Sequence, residues 1–350
     1  MLIASCSRVG QPALMNPSAT SALSISPRLA MPQLPIRAVS MMPSAMPGQL
    51  PQFPRLIAPA FPPASLAASR DLKVMTFNLR VATVIDGLNT WGMRRGMVVE
   101  RIRECDPDLL GTQEGLGGQT DFLREQLSNY TFFGVGRNDG NRRGEMCGIF
   151  YRTSRFEQLD GGHFWLSKHP DKIGSKGWGA WFPRMVTWVK LQPRDSAGGL
   201  GGQPIVFFNT HLDAWNSRAR SESAKLLLDR INRIAAGSPS ILTGDFNADQ
   251  GSDPYVKLTA AMTTTGPMLL DAFRAANPVP QRGEGTRHSF RGGRSGPRID
   301  WIMTSPCFQA VTASIDRARG VLGYPSDHYP VVATLRLSSP SSIAPMARSE

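Results

Sequence analysis

Polar side chains able to do chemistry follow apolar runs at six places in this sequence. Each run ends in a carboxylate, an amide or an imidazole, carried by Asn78, Glu114, Asn209 with His211, Asp245 with Asn247, Asp300, and Asp327 with His328. A single case is most simply a turn, because Asn and Asp favour turn conformations. Six cases in one chain are hard to explain in that way, since Glu and His are not turn formers. A sandwich whose strand ends converge would bring these side chains into one cleft.

The residue types indicate hydrolysis of a phosphate ester. Carboxylate oxygens without accompanying cysteine suit a hard cation, Mg²⁺ or Mn²⁺, rather than structural zinc. An Asp close to an Asn, as at Asp245 and Asn247, can hold and orient a water molecule. Neutral amides and an imidazolium can stabilise negative charge on a phosphoryl oxygen. Together these groups predict metal-assisted hydrolysis.

The elements that must position these residues are strands mixed singly and in pairs with helices. Apolar runs and alternating patterns predict strands over 72–81, 108–114, 147–151, 185–191, 204–212, 240–246, 298–305 and 330–337. Helical spacing of apolar residues predicts helices from 91 to Asp106-Pro107, over 119–127 and over 217–237. This order indicates an α/β layered domain over 71–338, for which we predict two mixed sheets packed face to face and flanked by helices.

Both ends of the chain differ from this domain in composition. Residues 1–70 are rich in Ser, Ala, Pro, Met and Leu, and their only charged side chains are five arginines. This composition predicts a disordered segment, and it is typical of an organellar transit or export peptide. A disordered tail without a targeting role, or a start codon assigned too early, explains it equally well, and the protein would then be cytoplasmic. Residues 339–350 are Ser/Pro-rich and are predicted to be a disordered tail.

The overall composition indicates which kinds of partner the protein could bind. The net charge is +12, which favours anionic partners such as phosphoesters or nucleic acid but also fits an ordinary basic domain. No apolar run is long enough to predict a transmembrane helix. The four cysteines are scattered without metal or redox spacing, so we interpret them as free thiols. Nothing indicates an obligate protein partner, and we predict a monomer.

Six motifs together resemble the endonuclease/exonuclease/phosphatase superfamily, whose fold is DNase I-like. They are "MTFNLR" (75–80), "GTQE" (111–114), "NTHL" (209–212), "GDFN" (244–247), "RIDWI" (298–302) and "SDHYPV" (326–331), in the order found in that group. The group includes DNase I-like nucleases, abasic-site endonucleases, deadenylases, sphingomyelinases and inositol polyphosphate phosphatases. The resemblance spans 72–337 and implies an α+β sandwich of four layers.

The resemblance also implies a role for each residue. Glu114 would be the principal metal ligand, assisted by Asn78 and Asp327. Asp245 would orient or deprotonate the attacking water, and Asn247 would help to hold it. Asp300 would orient His328, which would contact the scissile phosphate. Asn209 and His211 would face the phosphate, and His211 could act as the acid toward the leaving group.

Longer stretches resemble the compact CCR4-like metal-dependent hydrolases within that superfamily. By this resemblance His288, Arg184 and Trp178 would lie near the cleft mouth and bind substrate, although Trp178 fits a packed aromatic and Arg184 a solvated charge equally well. The arginines of the nearby loop are either a phosphate-tracking group or solvated charges; they are Arg282, Arg287, Arg291, Arg294 and Arg298.

The function predicted from the sequence is a Mg²⁺-dependent phosphodiester hydrolase, with Mn²⁺ as a possible substitute. The net positive charge favours a nuclease, either an exonuclease or an endonuclease. A phosphatase or phosphodiesterase for a small or lipid-linked phosphoester is the alternative enzyme. A non-catalytic phosphate-binding module is the alternative from another class, against which the intact polar set argues.

Overall fold

The computed structural model describes residues 71–194, 202–260 and 269–338. The predicted disordered segments at 1–70 and 339–350 lie outside these residues. Within the described ranges, no helix is both long enough and apolar enough to cross a membrane.

Twelve strands and five α-helices make up the described domain. The strands are β1 (Leu72–Asn78), β2 (Leu109–Gly115), β3 (Tyr130–Phe133), β4 (Met146–Arg152), β5 (Phe156–Trp165), β6 (Met185–Pro193), β7 (Ile205–His211), β8 (Ser240–Asp245), β9 (Leu270–Asp271), β10 (Asp300–Thr304), β11 (Phe308–Ile315) and β12 (Val331–Leu337). The helices are α1 (Trp91–Cys105), α2 (Gly117–Gln126), α3 (Ser217–Ala235), α4 (Asp253–Thr259) and α5 (Ala272–Ala276), and a 3₁₀ segment covers Val84–Asn89.

The strands form two six-stranded sheets. The first sheet has the order β11-β12-β1-β2-β4-β3 and the second the order β5-β6-β7-β8-β10-β9. In each sheet one central pair is parallel, β1 with β2 and β7 with β8, and the other pairs are antiparallel. The prediction of two mixed sheets flanked by helices is therefore confirmed.

The core has three layers of side chains, which explains why the strands are apolar on both faces. Leu72 and Val74 of the first sheet share one cluster with Phe207 and Ile241 of the second, so the sheets pack face to face. The outer face of the first sheet packs against α1 and α2. The outer face of the second sheet packs against α3. The order helix, sheet, sheet, helix gives the four predicted layers.

Strand alternation decides where the polar strand ends point. On β1, Val74 faces the opposite sheet while Met75 and Phe77 face the helices. Because side chains alternate along a strand, Asn78 points between the sheets. The same alternation on β7, β8 and β10 turns four further side chains to the inter-sheet side; these are Asn209, His211, Asp245 and Asp300.

The sequence prediction missed the peripheral elements β3, β5, β9 and β11, and the short helices α4 and α5. β5 illustrates the reason, because it contains Gly161 and Gly162 and has a mostly exposed or half-buried pattern. Glycine and exposed polar residues weaken the apolar pattern on which strand prediction depends. The missed strands lie at or beside sheet edges, whereas the central strands that carry the polar residues were predicted.

Candidate active site

A cleft of about 250 Å³ opens at the ends of the central strands. Most of the residues predicted to be functional line it, namely Glu114, Arg184, His211, Asp245, Asn247, Asp327 and His328. They come from β2, β7, β8 and from loops before β6, after β8 and before β12. The prediction that strand ends converge on one cleft therefore agrees with the geometry.

Asn78 connects the two sheets at the floor of this cleft. Its amide nitrogen Nδ2 donates to Glu114 Oε1 at 3.0 Å and to Asp245 Oδ2 at 2.9 Å. Its amide oxygen accepts from the backbone N–H of Arg80 at 2.9 Å. Asn78 is fully buried, so its orientation is fixed, and it holds the two carboxylates a short distance apart.

A local irregularity directs Glu114 toward Asn78. The register between β2 and β4 shifts between Thr112 and Gly115, and Glu114 has a φ of 62°. Such bulges re-aim side chains at the end of a strand, and left-handed backbone is costly for a residue other than glycine. The second carboxylate oxygen accepts from the N–H of Val81 at 2.9 Å. Burial alone would raise the pKa of Glu114, but the hydrogen bonds from Asn78 and Val81 and the charge of His328 lower it, so the carboxylate stays ionised.

Asp245, Asp300 and His328 form a buried charged group. His328 Nδ1 lies 2.9 Å from Asp300 Oδ2, and His328 Nε2 lies 3.9 Å from Asp245 Oδ2. Burial lowers the pKa of His328, but the charges of Asp300 and Asp245 outweigh it and raise that pKa to about 10. His328 is therefore an imidazolium at neutral pH. Burial and the negative charge of Asp300 raise the pKa of Asp245 to about 7.

His211 is neutral, which argues against its predicted role as an acid. Burial, together with the positive charges of Arg184, Arg137 and His328, holds its pKa well below the ordinary value. The amide Nδ2 of Asn247 lies 2.8 Å from His211 Nε2. Because that amide donates, Nε2 accepts and the ring proton is on Nδ1. A neutral ring has no proton to give as an imidazolium would, so His211 is better suited to orienting its neighbours.

Asn247 takes its position from the turn after β8. Its φ is 46°, and its backbone N–H donates to Asp245 Oδ1 at 2.9 Å. Its side-chain amide donates to the carbonyl of Leu212 as well as to His211. The turn thus fixes one carboxylate oxygen of Asp245 and ties β8 to the end of β7.

Asn209 does not reach the cleft, which corrects its predicted place beside the phosphate. Its Nδ2 donates to the carbonyls of Thr112 and Gly148 at 2.8 and 2.9 Å, and its Oδ1 accepts from Gln113 and Thr243. These partners belong to both sheets, and every polar atom of the amide is satisfied by them. The sheets approach so closely here that a Cβ on Gly111 would lie 2.6 Å from Asn209 Oδ1. Asn209 therefore holds the sheets together beneath the site.

Two predicted substrate-binding residues also lie away from the cleft lining. His288 is buried and stacks on Tyr329, with the ring centroids 3.9 Å apart. Trp178 is half-buried and packs against the apolar cluster between α3 and the second sheet, in agreement with the packed-aromatic alternative. Their sequence neighbourhoods contain the motifs of a site, but neither side chain is among those that line the cleft.

Arg184 does line the cleft, and the structure adds neighbours that the sequence did not indicate. We define the arginine wall as Arg137, Glu145, Phe182, Arg184 and Trp215, which all line the cleft. Arg137 forms a bidentate pair with Glu145, at 2.7 and 2.8 Å. Glu145 Oε2 in turn lies 3.9 Å from His211 Nδ1. None of the added residues lies at the end of a strand for which a catalytic residue was predicted, so the prediction from strand ends missed them.

The donor set fits a divalent cation. One carboxylate oxygen each from Glu114 and Asp245 and one ring nitrogen of His211 lie within 4.8 Å of one another, but the ring nitrogens of His211 are taken up by Asn247 and by the proton on Nδ1, so the two carboxylates are the ligands offered. Asp327 lines the same cleft, and burial raises its pKa. The other cluster of this kind, Asp245, Asp300 and His328, is a less suitable metal site because a protonated imidazole does not bind a metal.

Comparison with known proteins gives the family. A sequence profile of the Endonuclease/Exonuclease/phosphatase family matches residues 75–328. The chain belongs to this family. Its members are hydrolases that act on phosphoester bonds, and the two six-stranded sheets flanked by helices have the DNase I-like arrangement that the resemblance implied.

Several relatives cover most of the domain. A family member from Bacteroides thetaiotaomicron is 33% identical with a TM-score of 0.68, over 77% of this chain and 98% of that one. A mannosyl-6-phosphatase from Bacteroides thetaiotaomicron is 34% identical with a TM-score of 0.67, over 75% and 99% of the two chains. Nocturnin of Drosophila melanogaster is 22% identical over 291 residues, 72% of this chain and 43% of that protein. The chain spans about half the length of the curated relatives it matches.

Proposed function

We propose that this protein is a divalent-metal-dependent phosphoester hydrolase that acts on a small phosphoester. The observation that carries the proposal is the cleft itself, in which ionised Glu114, buried Asp245 and protonated His328 converge within about 250 Å³. This convergence argues against a non-catalytic phosphate-binding module, because recognition of phosphate alone does not need two buried carboxylates beside it.

Each residue of the cleft has a distinct task in this proposal. Asp245, oriented by hydrogen bonds from Asn78 and Asn247, holds the attacking water and accepts its proton. His328, kept cationic by Asp300, stabilises negative charge on the phosphoryl oxygens. His211 and Asn247 hold one another beside Asp245.

Glu114 and Asp245 are the residues that would hold the cation, with Asn78 and Asp327 beside them. When bound, a divalent cation polarises a phosphoryl oxygen and makes a water molecule easier to deprotonate. Oxygen ligands favour Mg²⁺, with Mn²⁺ as a substitute.

The walls of the cleft support a small substrate over a nucleic acid. Phe182, Arg184 and Trp215 line its side, so aromatic and hydrogen-bonding groups lie beside the reacting centre. The five arginines of the 282–298 loop give little support for binding along a phosphate backbone, because Arg298 is buried in an ion pair with Asp271. The likeness to a mannosyl-6-phosphatase at 34% identity supports the same substrate class.

A nuclease, which was the leading prediction from the sequence, is the second candidate. The net charge of +12 and the exposed Arg282, Arg291 and Arg294 favour an anionic polymer. Arg287, from the same loop, lines the cleft and is available to a phosphate in either case.

A substrate panel tests the proposal. The purified protein is assayed with Mg²⁺ against hexose 6-phosphates, bis-p-nitrophenyl phosphate, single-stranded DNA, duplex DNA and RNA. We expect phosphate release from the small monoesters at a higher kcat/KM than cleavage of any polymer. Faster cleavage of a nucleic acid would favour the nuclease. Phosphate binding without turnover of any substrate would favour the non-catalytic module.

A further inference from the structure

The arginine wall contains buried hydrogen-bond donors that the protein does not use. Nε and Nη1 of Arg184, Nε of Arg137 and Nδ1 of neighbouring His211 are all buried and have no hydrogen-bond partner within the described ranges. Buried polar atoms are nearly always paired with protein, water or ligand, and leaving them unpaired is costly. Arg184, Arg137 and His211 line the cleft, so these unpaired groups lie next to the space that is open to a bound molecule.

The wall carries little net charge, which indicates what kind of oxygen it accepts. Each guanidinium has a carboxylate close by, since Arg137 pairs with Glu145 at 2.7 Å and Arg184 Nε lies 3.7 Å from Asp213 Oδ2. A site for a second anionic group would need an uncompensated positive charge. Guanidiniums whose charge is already balanced, but which keep unused N–H donors, instead suit neutral oxygen atoms. The carboxylate of Glu145 adds an acceptor. Hydroxyl groups both donate and accept, so they match this set.

Two exposed aromatic rings border the same donors. The side chains of Phe182 and Trp215 are 47% and 74% exposed although both line the cleft. The guanidinium of Arg137 lies 5.1 Å from the centroid of Phe182. Flat apolar surface beside fixed polar groups is typical of a site that orients a small ligand. The apolar C–H face of a sugar ring can lie against such a surface while its hydroxyls reach the donors.

Asp213 couples the two halves of the wall. Its Oδ1 accepts from the backbone N–H groups of Trp215 and Asn216 at 3.0 and 2.8 Å. Its other oxygen faces Arg184. One buried carboxylate therefore fixes the backbone of the loop that carries Trp215 and also lies beside the guanidinium of Arg184.

We propose that the arginine wall is a leaving-group subsite that binds the hydroxyl groups of a sugar or polyol phosphoester. This rests on the proposed function, because the subsite has a substrate only if the adjoining centre hydrolyses phosphoesters. The phosphate lies at Asp245 and His328, and the hydroxyls of the departing alcohol are held by Arg184, Arg137 and Glu145.

The experiment compares two substrates that differ in their hydroxyls. Mannose 6-phosphate and n-hexyl phosphate are both monoesters of primary alcohols, so the bond that breaks is of the same kind. We expect the wild-type protein to prefer mannose 6-phosphate in kcat/KM. Arg184→Met should reduce this preference by about 10- to 100-fold, mainly through KM, because it removes hydrogen bonds from a charged donor. Trp215→Ala should reduce it by several-fold.

Arg233→Met is the matched control, because Arg233 is an exposed arginine on α3, and it should leave the preference unchanged. Thermal melts accompany each variant. If Arg184→Met does not fold, Trp215→Ala decides alone, since an exposed ring is not needed for folding. The proposal is overturned if the wild-type protein does not prefer the sugar ester, or if the variants lower both substrates equally. If the protein cleaves nucleic acid alone, the subsite is overturned but the protein is still a phosphoester hydrolase. If it turns over no phosphoester, the subsite and the proposed function are both overturned.

Discussion

Asp245 and Arg184 both line the cleft and both are buried, yet their side chains are held in different ways. Asp245 accepts hydrogen bonds from Asn78 and Asn247 and lies beside the cationic His328. Two nitrogens of Arg184 lack any partner in the described part of the chain, and the nearby carboxylate of Asp213 is 3.7 Å from Nε. The protein itself holds the carboxylate of Asp245, whereas it leaves these two nitrogens of Arg184 unpaired.

The difference follows from what each side has to do. Groups that act on a transition state work best when the protein has already fixed their orientation. Groups that recognise a ligand must keep hydrogen-bonding capacity for it, at some expense in stability. In the function that we propose, the carboxylate side therefore carries turnover, and the arginine wall carries selectivity.

The largest expected effect is on turnover after a change on the carboxylate side. Asp245→Asn keeps the shape of the side chain but removes the group that accepts a proton from water. We expect kcat to fall by roughly 10²–10⁴-fold, while KM holds or falls because a negative charge facing the phosphate is gone. Steady-state kinetics at one fixed Mg²⁺ concentration measures both.

Asp249→Asn is the control, since Asp249 lies four residues on and accepts only a local hydrogen bond from the N–H of Gln250. It should change kcat hardly at all and stability slightly. Equal loss of activity in both variants, with unchanged melts, would mean that the strand end at Asp245 is a turn and not a catalytic position.

A smaller effect, now on stability, is expected where a buried cation supports the carboxylate side. Arg94 of α1 is 1% exposed and donates to the carbonyls of Leu79, Arg80 and Pro325. These carbonyls belong to the loops after β1 and before β12. Arg94→Met leaves the carbonyls unpaired and should lower the free energy of unfolding by about 2–3 kcal/mol, as measured by denaturant titration.

The neighbouring Arg95 provides the comparison, because it is exposed on the same helix and contacts only the ring of Phe122 among the interactions described. Arg95→Met should cost less than about 1 kcal/mol. If the two substitutions cost the same, the buried guanidinium does not hold the two loops.

The smallest expected effect separates structural support from catalysis. Asn209→Ala removes four hydrogen bonds, three of them between the sheets, and should lower the free energy of unfolding by about 2 kcal/mol. Its kcat, corrected for folded protein, should stay within about threefold of wild type. Asp245→Asn, by contrast, is expected to lower kcat. A loss of kcat in Asn209→Ala comparable to that in Asp245→Asn would mean that Asn209 acts in catalysis.

Sequence reasoning located the carboxylate side because of a simple geometric rule. Asn78, Asp245 and Asp300 each end or begin a central strand with a clear apolar pattern, and alternation turns each one between the sheets. The same rule placed Asn209 in the site, because a pattern shows on which face a side chain lies but not how far along the inter-sheet space. The structure shows that Asn209 lies one step deeper than His211, where partners from both sheets satisfy it.

The arginine wall could not be located in this way. Arg137 lies in the loop between β3 and β4, and Trp215 in the segment between β7 and α3, so no periodic pattern connects them. Arg137 and Glu145 meet within one loop, but only the tertiary fold brings them to Phe182. Trp178 and His288 show the opposite error, since their motif-like surroundings suggested a site while their rings pack against other aromatic and apolar side chains.

The most direct test of the account is the binding of Mn²⁺ to Glu114, measured by titration calorimetry without substrate. Glu114→Gln keeps the hydrogen bond from Asn78 but removes the charge, while Glu157→Gln changes a glutamate on β5 whose side chain is 60% exposed. We predict that wild type and Glu157→Gln bind Mn²⁺ alike and that Glu114→Gln binds at least about 100-fold more weakly, since even outer ligands of a metal site contribute 10–100-fold. Equal affinity in all three proteins, or no binding to wild type, would contradict a metal-dependent centre in this cleft.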